Sequence, residues 1–185
     1  TCEYFFMTST PSNISAVILL TLSTLEKNIE KVVLNDYSPT EKFLKCIFRY
    51  KAEAPRSALE PLFVTLSFLA KHPTVCALAA PLMKLFNKLF FPSSEADLAR
   101  LPSLLSNLRR TYRHNEKVLR EVLAALGKAI AQSPSLETPL AREFLDQHLK
   151  LVQSLSDPNS KDVERLFAVE SLKLTAASIE RLKED

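Results

Sequence analysis

Glycine and tryptophan are almost missing from this chain, whose 185 residues include one glycine and no tryptophan. The tight turns that join the strands of sheet proteins often need a positive φ, which glycine adopts most easily. The loops that cradle phosphates and dinucleotides need glycine as well. The composition therefore favours an all-α protein and excludes the P-loop and Rossmann fingerprints.

Cysteine is scarce too, and its spacing argues against a metal site. Cys2, Cys46 and Cys76 are far apart, and the chain has no CxxC motif or His/Cys cluster. Zinc sites usually show such clusters, and secreted domains usually show an even number of cysteines. We expect no metal ligands, three reduced thiols, and a cytoplasmic or nuclear location.

Long apolar runs are also lacking. The longest, residues 14–22, covers nine residues and is interrupted by Ser and Thr, whereas a bilayer-spanning helix needs about 20. We expect a buried core helix there and no contact with a membrane. Because the chain begins with Thr1 and not with Met, we also expect it to be a fragment of a longer protein.

Apolar residues recur at steps of three and four along most of the chain, which is typical of amphipathic helices. Residues 1–11 show no such pattern and are expected to be a poorly defined N-terminal segment. We interpret residues 1–185 as one domain with about eight helices. The predicted spans are 12–35, 39–53, 57–71, 73–91, 95–113, 115–132, 139–155 and 159–182.

Local signals support some of these boundaries. Ser38 precedes Pro39 and lies three residues before Glu41, which predicts a capping serine with proline at the first helical position. Pro61, Pro81 and Pro102 fall within or near the start of predicted helices, so each is expected in a first turn or at a kink.

Three predicted joints between helices share one pattern, an apolar helix end followed by a polar turn and a second helix. Val75, Val118 and Val163 mark these joints at separations of 43 and 45 residues. The stretch SLSDPNSKDVERLFAVESL, residues 154–172, resembles the turn and second helix of an armadillo or HEAT repeat, and NEKVLREVLAALGKAI, residues 115–130, resembles the same element one repeat earlier. The resemblance covers residues 57–182.

This resemblance implies a right-handed stack of antiparallel helix pairs, an α-solenoid of the armadillo/HEAT kind, in which neighbouring pairs complete one core. A closed helical bundle is the alternative. In either arrangement the apolar stripes should face the core. These stripes are Leu59, Leu62, Phe63, Leu66 and Leu69; Leu119, Val122, Leu123, Leu126 and Ile130; and Leu166, Val169, Leu172 and Ile179.

Catalytic motifs are absent from the sequence. The three histidines, His72, His114 and His148, lie near predicted helix ends or on polar faces, each without a second His or Cys nearby. There is no GxSxG, HExxH or paired-carboxylate motif. We therefore expect no enzymatic activity, no cofactor and no small-molecule substrate.

The strongest local charge feature is basic. Between Arg100 and Lys128 there are seven basic and two acidic residues, a net charge of +5 compared with +3 for the whole chain. A hairpin of two helices would bring five of the basic residues to one edge, where they could bind an acidic segment or nucleic-acid phosphates. The alternative is a solvated face with Glu116–Arg120 and Lys117–Glu121 pairs. The five residues are Arg109, Arg110, Arg113, Lys117 and Arg120.

A second candidate surface is apolar. Phe86, Phe90 and Phe91 lie at the end of the predicted helix 73–91. They either pack within the protein or offer an anchor pocket for a partner helix.

The function expected from these patterns is that of a non-enzymatic scaffold for protein–protein interaction, which binds a helix or an acidic segment of a partner protein. The alternative is a nucleic-acid-binding helical-repeat module that uses the basic residues of 100–128.

Overall fold

The computed structural model describes residues 2–90 and 95–131 together with residue 169. The first two ranges form seven α-helices and two short 3-10 helices and contain no β-strand. The all-α prediction is thus confirmed for this part of the chain. The α-helices are α1 (Cys2–Thr8), α2 (Pro11–Leu34), α3 (Ser38–Arg49), α4 (Leu59–Leu69), α5 (Cys76–Leu89), α6 (Glu95–Thr111) and α7 (Glu116–Ala131), and the 3-10 helices are Arg56–Ala58 and Pro73–Val75.

The first six predicted spans each correspond to one helix, α2 to α7, with ends that differ by a few residues. The last two predicted helices, 139–155 and 159–182, lie outside the described residues except for Val169, which is helical. The chain divides into two compact units, Thr1–Phe90 and Phe91–Asp185.

Helix α1 lies where the sequence predicted a poorly defined segment. Its Phe6 is buried, stacks on Tyr50 with ring centroids 5.9 Å apart, and lies 6.0 Å from the ring of Phe43. Glu3 also pairs with Arg49 at 2.6 Å. A helix of seven residues is unstable by itself, because one or two turns cannot offset the cost of nucleation. Contacts with α3 supply the stability, and the local sequence gives no sign of them.

The start of α3 also differs from the prediction. Ser38 is the first residue of the helix and not its cap, and Tyr37 at the cap position makes no side-chain capping bond. The backbone N–H and the hydroxyl of Ser38 donate to Asp36 Oδ1 at 2.9 and 2.6 Å. These bonds lower the pKa of Asp36, and the bond from the Ser38 hydroxyl has the larger effect. The turn is therefore organised by an aspartate two residues before the serine.

The prolines fall in two kinds of position. Pro61 lies in the first turn of α4, as expected. Pro81 and Pro102 lie inside α5 and α6, and both helices continue through them.

The core of the first unit lies where α2 packs on α4 and α5 packs on both α3 and α4. The predicted stripe of α4 is confirmed at Leu62, Leu66 and Leu69, which are fully buried, whereas Leu59 and Phe63 are half-buried. The largest fully buried side chains are Ile18, Leu22, Leu44, Ile47, Leu62, Leu66, Leu69, Leu78, Leu82, Met83 and Phe86.

In the second unit, α6 and α7 form a hairpin. The residues buried in this hairpin include Leu101, Leu104, Leu105 and Leu108 of α6, and Leu119, Val122, Leu123 and Leu126 of α7, which confirms the predicted α7 stripe at these four positions.

The structure describes only one residue of the apolar stripe predicted for the last helix, Val169. Val169 is 40% exposed, so the prediction that it faces the core is wrong. Helical spacing identifies an apolar face but cannot show whether another element covers it. The side chain of Ile130 and the residues Leu166, Leu172 and Ile179 lie outside the described part.

The three cysteines are free thiols. Cys2 lies on α1 and Cys46 on α3, two helices in contact. Burial, followed by a hydrogen bond with the Cys46 thiol, raises the pKa of Cys2 from 9.0 to about 11. Because the folded chain holds the Cys2 proton more strongly than the unfolded chain, the protonated thiol contributes stability that is complete below pH 9. It is lost as the pH rises towards 11.

We expect iodoacetamide to alkylate Cys2 at pH 8.5 about tenfold more slowly in the folded chain than in urea. The thiolate fraction falls by roughly 100-fold, and the greater nucleophilicity of a more basic thiolate offsets part of that loss. Mass spectrometry of quenched samples measures the rate at each cysteine. Equal rates for Cys2 in the folded and the unfolded chain would contradict the burial of this thiol. A total of three labelled thiols per denatured chain checks that none is oxidised.

Candidate functional site

The five basic residues singled out by the sequence lie around the turn between α6 and α7. Arg109 and Arg110 are in the last turn of α6, Arg113 lies in the connecting turn, and Lys117 and Arg120 are in the first turns of α7. Arg109 is half-buried and the other four are exposed. We call these five residues the basic ridge.

The polar contacts on the basic ridge are mostly local. Arg110 donates to Asn107 Oδ1 at 3.2 Å, and Arg120 Nε donates to Glu116 Oε1 at 2.8 Å. The Glu116–Arg120 pair is one of the two pairs expected for a solvated face. Both of its side chains are at least half exposed, and such surface pairs stabilise a protein by only about 0–1 kcal/mol. Glu116 therefore neutralises part of the charge without holding Arg120 firmly.

Arg113 is oriented by its neighbour. Its Nε donates to His114 Nε2 at 2.9 Å, and His114 is itself exposed. This bond uses Nε and does not involve the two terminal nitrogens of the Arg113 guanidinium. These nitrogens are the part of the arginine that forms paired hydrogen bonds with carboxylates.

The turn that carries the basic ridge is held by Asn115. Its side-chain oxygen accepts from the backbone N–H of Val118 at 3.1 Å, and its backbone oxygen accepts from the N–H of Leu119 at 3.0 Å. Asparagine at the cap position stabilises a helix by about 0.5–2 kcal/mol relative to alanine. Val118, one of the three valines at the predicted joints, is fully buried. The start of α7 is thus anchored, and Lys117 and Arg120 extend from a fixed backbone.

Tyr112 is the aromatic residue closest in sequence to the basic ridge. It is 3% exposed, so its ring cannot stack on a nucleic-acid base. Binding of single strands without sequence preference usually combines basic side chains with exposed aromatic rings. The burial of Tyr112 therefore leaves the basic ridge without this ring as a stacking surface.

The aromatic candidate surface is not exposed where the structure describes it. Phe86 is fully buried and Phe90 is 3% exposed, and their rings stack with centroids 4.9 Å apart. Phe63 lies 6.3 Å from Phe86 on the other side of the α4–α5 hairpin. Of the two predicted alternatives, packing within the protein is therefore the one found at Phe86 and Phe90, which belong to the core. Phe91 lies outside the described residues.

The histidines show no catalytic arrangement in the described part of the chain. His72 is half-buried and stacks on Phe68 with ring centroids 4.4 Å apart, and His114 is engaged with Arg113. His148 lies outside the described residues. Among the residues that the structure describes, no group of three or more His, Cys, Asp or Glu side chains is placed to hold a metal ion.

A groove of about 510 Å³ opens between α1, the start of α2 and the segment after α3. The hydroxyl of Ser15 donates across it to the backbone oxygen of Glu53 at 2.8 Å. The backbone of Lys51 beside it has a φ of 50°, in the left-handed region. The lining is mixed, with Phe6, Pro11, Ser15, Tyr50, Lys51 and Glu53 among its residues.

A second group of basic residues was not predicted from the sequence. Lys42, Lys45 and Arg49 on α3, and Lys84 and Lys88 on α5, are all exposed. The spacing of each set was visible in the sequence, but they lie 35 or more residues apart along the chain. Only the packing of α3 on α5 brings the two helices together.

Comparison of this chain with protein-family models, with curated proteins and with solved structures finds no match. Within the described residues, no helix has both the length and the hydrophobicity needed to cross a membrane.

Proposed function

We propose that this chain is a non-enzymatic scaffold that binds an acidic segment of a partner protein at the basic ridge, in the cytoplasm or the nucleus. The observation that carries the proposal is the set of five basic side chains around one helix–helix turn, four of them exposed. A charged rim of this kind attracts an oppositely charged segment and steers its approach.

The proposal includes a right-handed solenoid of antiparallel helix pairs, of the armadillo/HEAT type. Its support in the first unit is the order of the helix contacts. Helix α2 packs on α4 and α3 packs on α5, so each helix contacts the helix two positions later, as stacked pairs require. In the second unit, the α6–α7 hairpin supplies one further antiparallel pair.

The test is the triple charge reversal Arg109→Glu, Arg110→Glu and Arg113→Glu in the full-length protein. Each arginine that is desolvated against a carboxylate contributes roughly 1–3 kcal/mol through charge-assisted hydrogen bonds. Loss of all three should therefore weaken binding of a ridge-dependent partner by at least about 100-fold. Pull-down with quantitative mass spectrometry measures the recovery of each partner.

The matched control is the triple reversal Lys27→Glu, Lys31→Glu and Lys71→Glu, which changes three exposed lysines of the first unit. The free energy of unfolding of each variant should lie within about 1 kcal/mol of that of the parent, because surface substitutions seldom change stability by more. A folded ridge variant that keeps every partner would disprove the proposal. Recovery that nuclease treatment abolishes, with a steep dependence on salt, would identify the ligand as nucleic acid instead.

A further inference from the structure

The basic residues of α3 and α5 form one surface on the first unit. Lys42, Lys45 and Arg49 follow one another at steps of three and four, so they lie along one side of α3. Lys84 and Lys88 are one turn apart on α5, which packs on α3. Glu41 is the single acidic residue within these two helices, against five basic residues, which leaves a net charge of +4. We call these five basic residues the basic face.

Phe48 joins the two halves of the basic face. It belongs to α3, yet the ammonium nitrogens of Lys84 and Lys88 on α5 lie 5.1 and 5.2 Å from the centroid of its ring. Both lysines therefore turn towards α3. A cation at this distance from an aromatic ring is attracted by the electrons of the ring, so each lysine loses part of its freedom before any ligand arrives.

The two lysine charges are held close to each other. Since both lie near the same centroid, their nitrogens are no more than about 10 Å apart, which is close to the distance over which 0.1 M salt screens a charge. Their repulsion is therefore only partly screened. A carboxylate placed between them would reduce the repulsion and add two attractive contacts.

The other cations show that carboxylates approach this surface. Lys45 pairs with Glu41 at 2.7 Å, and Arg49 pairs with Glu3 of α1 at 2.6 Å. Lys45, Arg49 and Glu3 are exposed and Glu41 is half-buried, so a stronger acidic ligand could replace these pairs at little cost. Neither pair includes Lys84 or Lys88, whose ammonium nitrogens lie near the ring of Phe48 instead.

We propose that the basic face is a second docking surface, which binds an acidic helix of a partner protein independently of the basic ridge. The cations recur at one-turn intervals of about 5–6 Å, and carboxylates at positions i and i+4 of a helix recur at the same interval. The matching intervals favour a helix over an extended acidic segment. Phe48 is half-buried and faces two lysines, so it is a poor platform for a nucleic-acid base, which favours a protein over a single strand.

The probe is a fluorescein-labelled alanine-based helix with glutamate at every fourth position, titrated with the full chain by fluorescence anisotropy. The chain carries Arg109→Glu, Arg110→Glu and Arg113→Glu, so that binding at the basic ridge is suppressed. In this background, Lys84→Glu with Lys88→Glu should weaken binding at least about tenfold, because two attractive charges become repulsive. Lys27→Glu with Lys31→Glu, an exposed pair at the same spacing on α2, should change binding less than about twofold.

Two further variants separate charge from structure. Lys84→Gln with Lys88→Gln should also weaken binding, by about threefold or more, without introducing repulsion. Phe48→Leu keeps an apolar side chain but removes the ring, and should weaken binding by about twofold to fivefold because the lysines lose their restraint. Circular dichroism of each variant confirms that the helices are retained.

The outcomes distinguish this proposal from that for the basic ridge. If the chain with the three arginine reversals (the ridge background) binds the helix and Lys84→Glu with Lys88→Glu abolishes that binding, the proposal for the basic face is supported. This holds whether or not the basic ridge binds a ligand. If the ridge background does not bind the helix although the parent chain does, the basic face is overturned and the ridge is supported. Equal binding by the Lys84/Lys88 and Lys27/Lys31 variants overturns it as well. A single-stranded oligonucleotide that binds the basic face more tightly than the acidic helix would overturn the choice of partner.

Discussion

Phe86→Ala should reduce the free energy of unfolding by about 3–5 kcal/mol. Phe86 is the largest of the fully buried side chains, stacks on Phe90, and contacts Phe63 across the α4–α5 hairpin. Truncation removes the ring from the core and leaves a cavity that the surrounding helices fill only in part. The expected loss is a large fraction of the stability of a small domain.

Urea denaturation followed by circular dichroism measures the change in free energy. Hydrogen exchange with mass spectrometry then shows where protection is lost, and we expect the largest loss in α4 and α5. Tyr4→Ala is the control, because Tyr4 is an aromatic residue with 69% of its surface exposed, and its loss should cost less than about 1 kcal/mol. Similar effects of the two substitutions would show that Phe86 is not in the core, and would make it again a candidate anchor for a partner.

Leu108→Ala should reduce the free energy of unfolding of the second unit by about 2–5 kcal/mol. Leu108 is fully buried in the α6–α7 hairpin, one residue before the first arginine of the basic ridge. The substitution keeps every charge of the ridge but weakens the packing that holds its two halves together. We therefore expect binding at the ridge to weaken as well, although no ligand-contacting side chain is changed.

Hydrogen exchange of α6 and α7 measures the loss of packing, and titration with an acidic partner segment measures the loss of binding. Leu20→Ala is the matched control, since Leu20 is 67% exposed on α2 and undergoes the same change in chemistry. If Leu108→Ala left exchange in α6 and α7 unchanged, the hairpin would not depend on this contact. If exchange rose sharply while binding stayed constant, the ridge would not need the hairpin.

Much of the fold could be predicted from the sequence, because its signals are local. One glycine in 185 residues leaves few positions for the turns of a sheet, and apolar spacing of three and four then identifies six helices, α2 to α7. The joint before Val118 was predicted from its polar turn, and in the structure the Asn115 side chain accepts from the backbone N–H of Val118 there. Each of these signals acts within a few residues, so one chain read in order is enough to find it.

The errors share one physical cause. Helix α1 exists because Phe6 reaches Phe43 and Tyr50, and such a contact leaves no local pattern. Phe86 and Phe90 are equally apolar whether they face a partner or the core, and their burial depends on which helix packs over them. Helical spacing marks one face of a helix but does not say what covers that face.

The basic ridge and the basic face also differ in what the sequence could show of them. The sequence by itself determined the all-helical class and the basic ridge, because the five residues of the ridge lie within twelve positions around one turn. Only the tertiary structure decided the basic face, because Phe48 and the Lys84–Lys88 pair meet through the packing of α3 on α5. Helix formation depends on neighbours within about four residues, whereas the assembly of a surface depends on which buried faces pair, and that pairing is a property of the whole core.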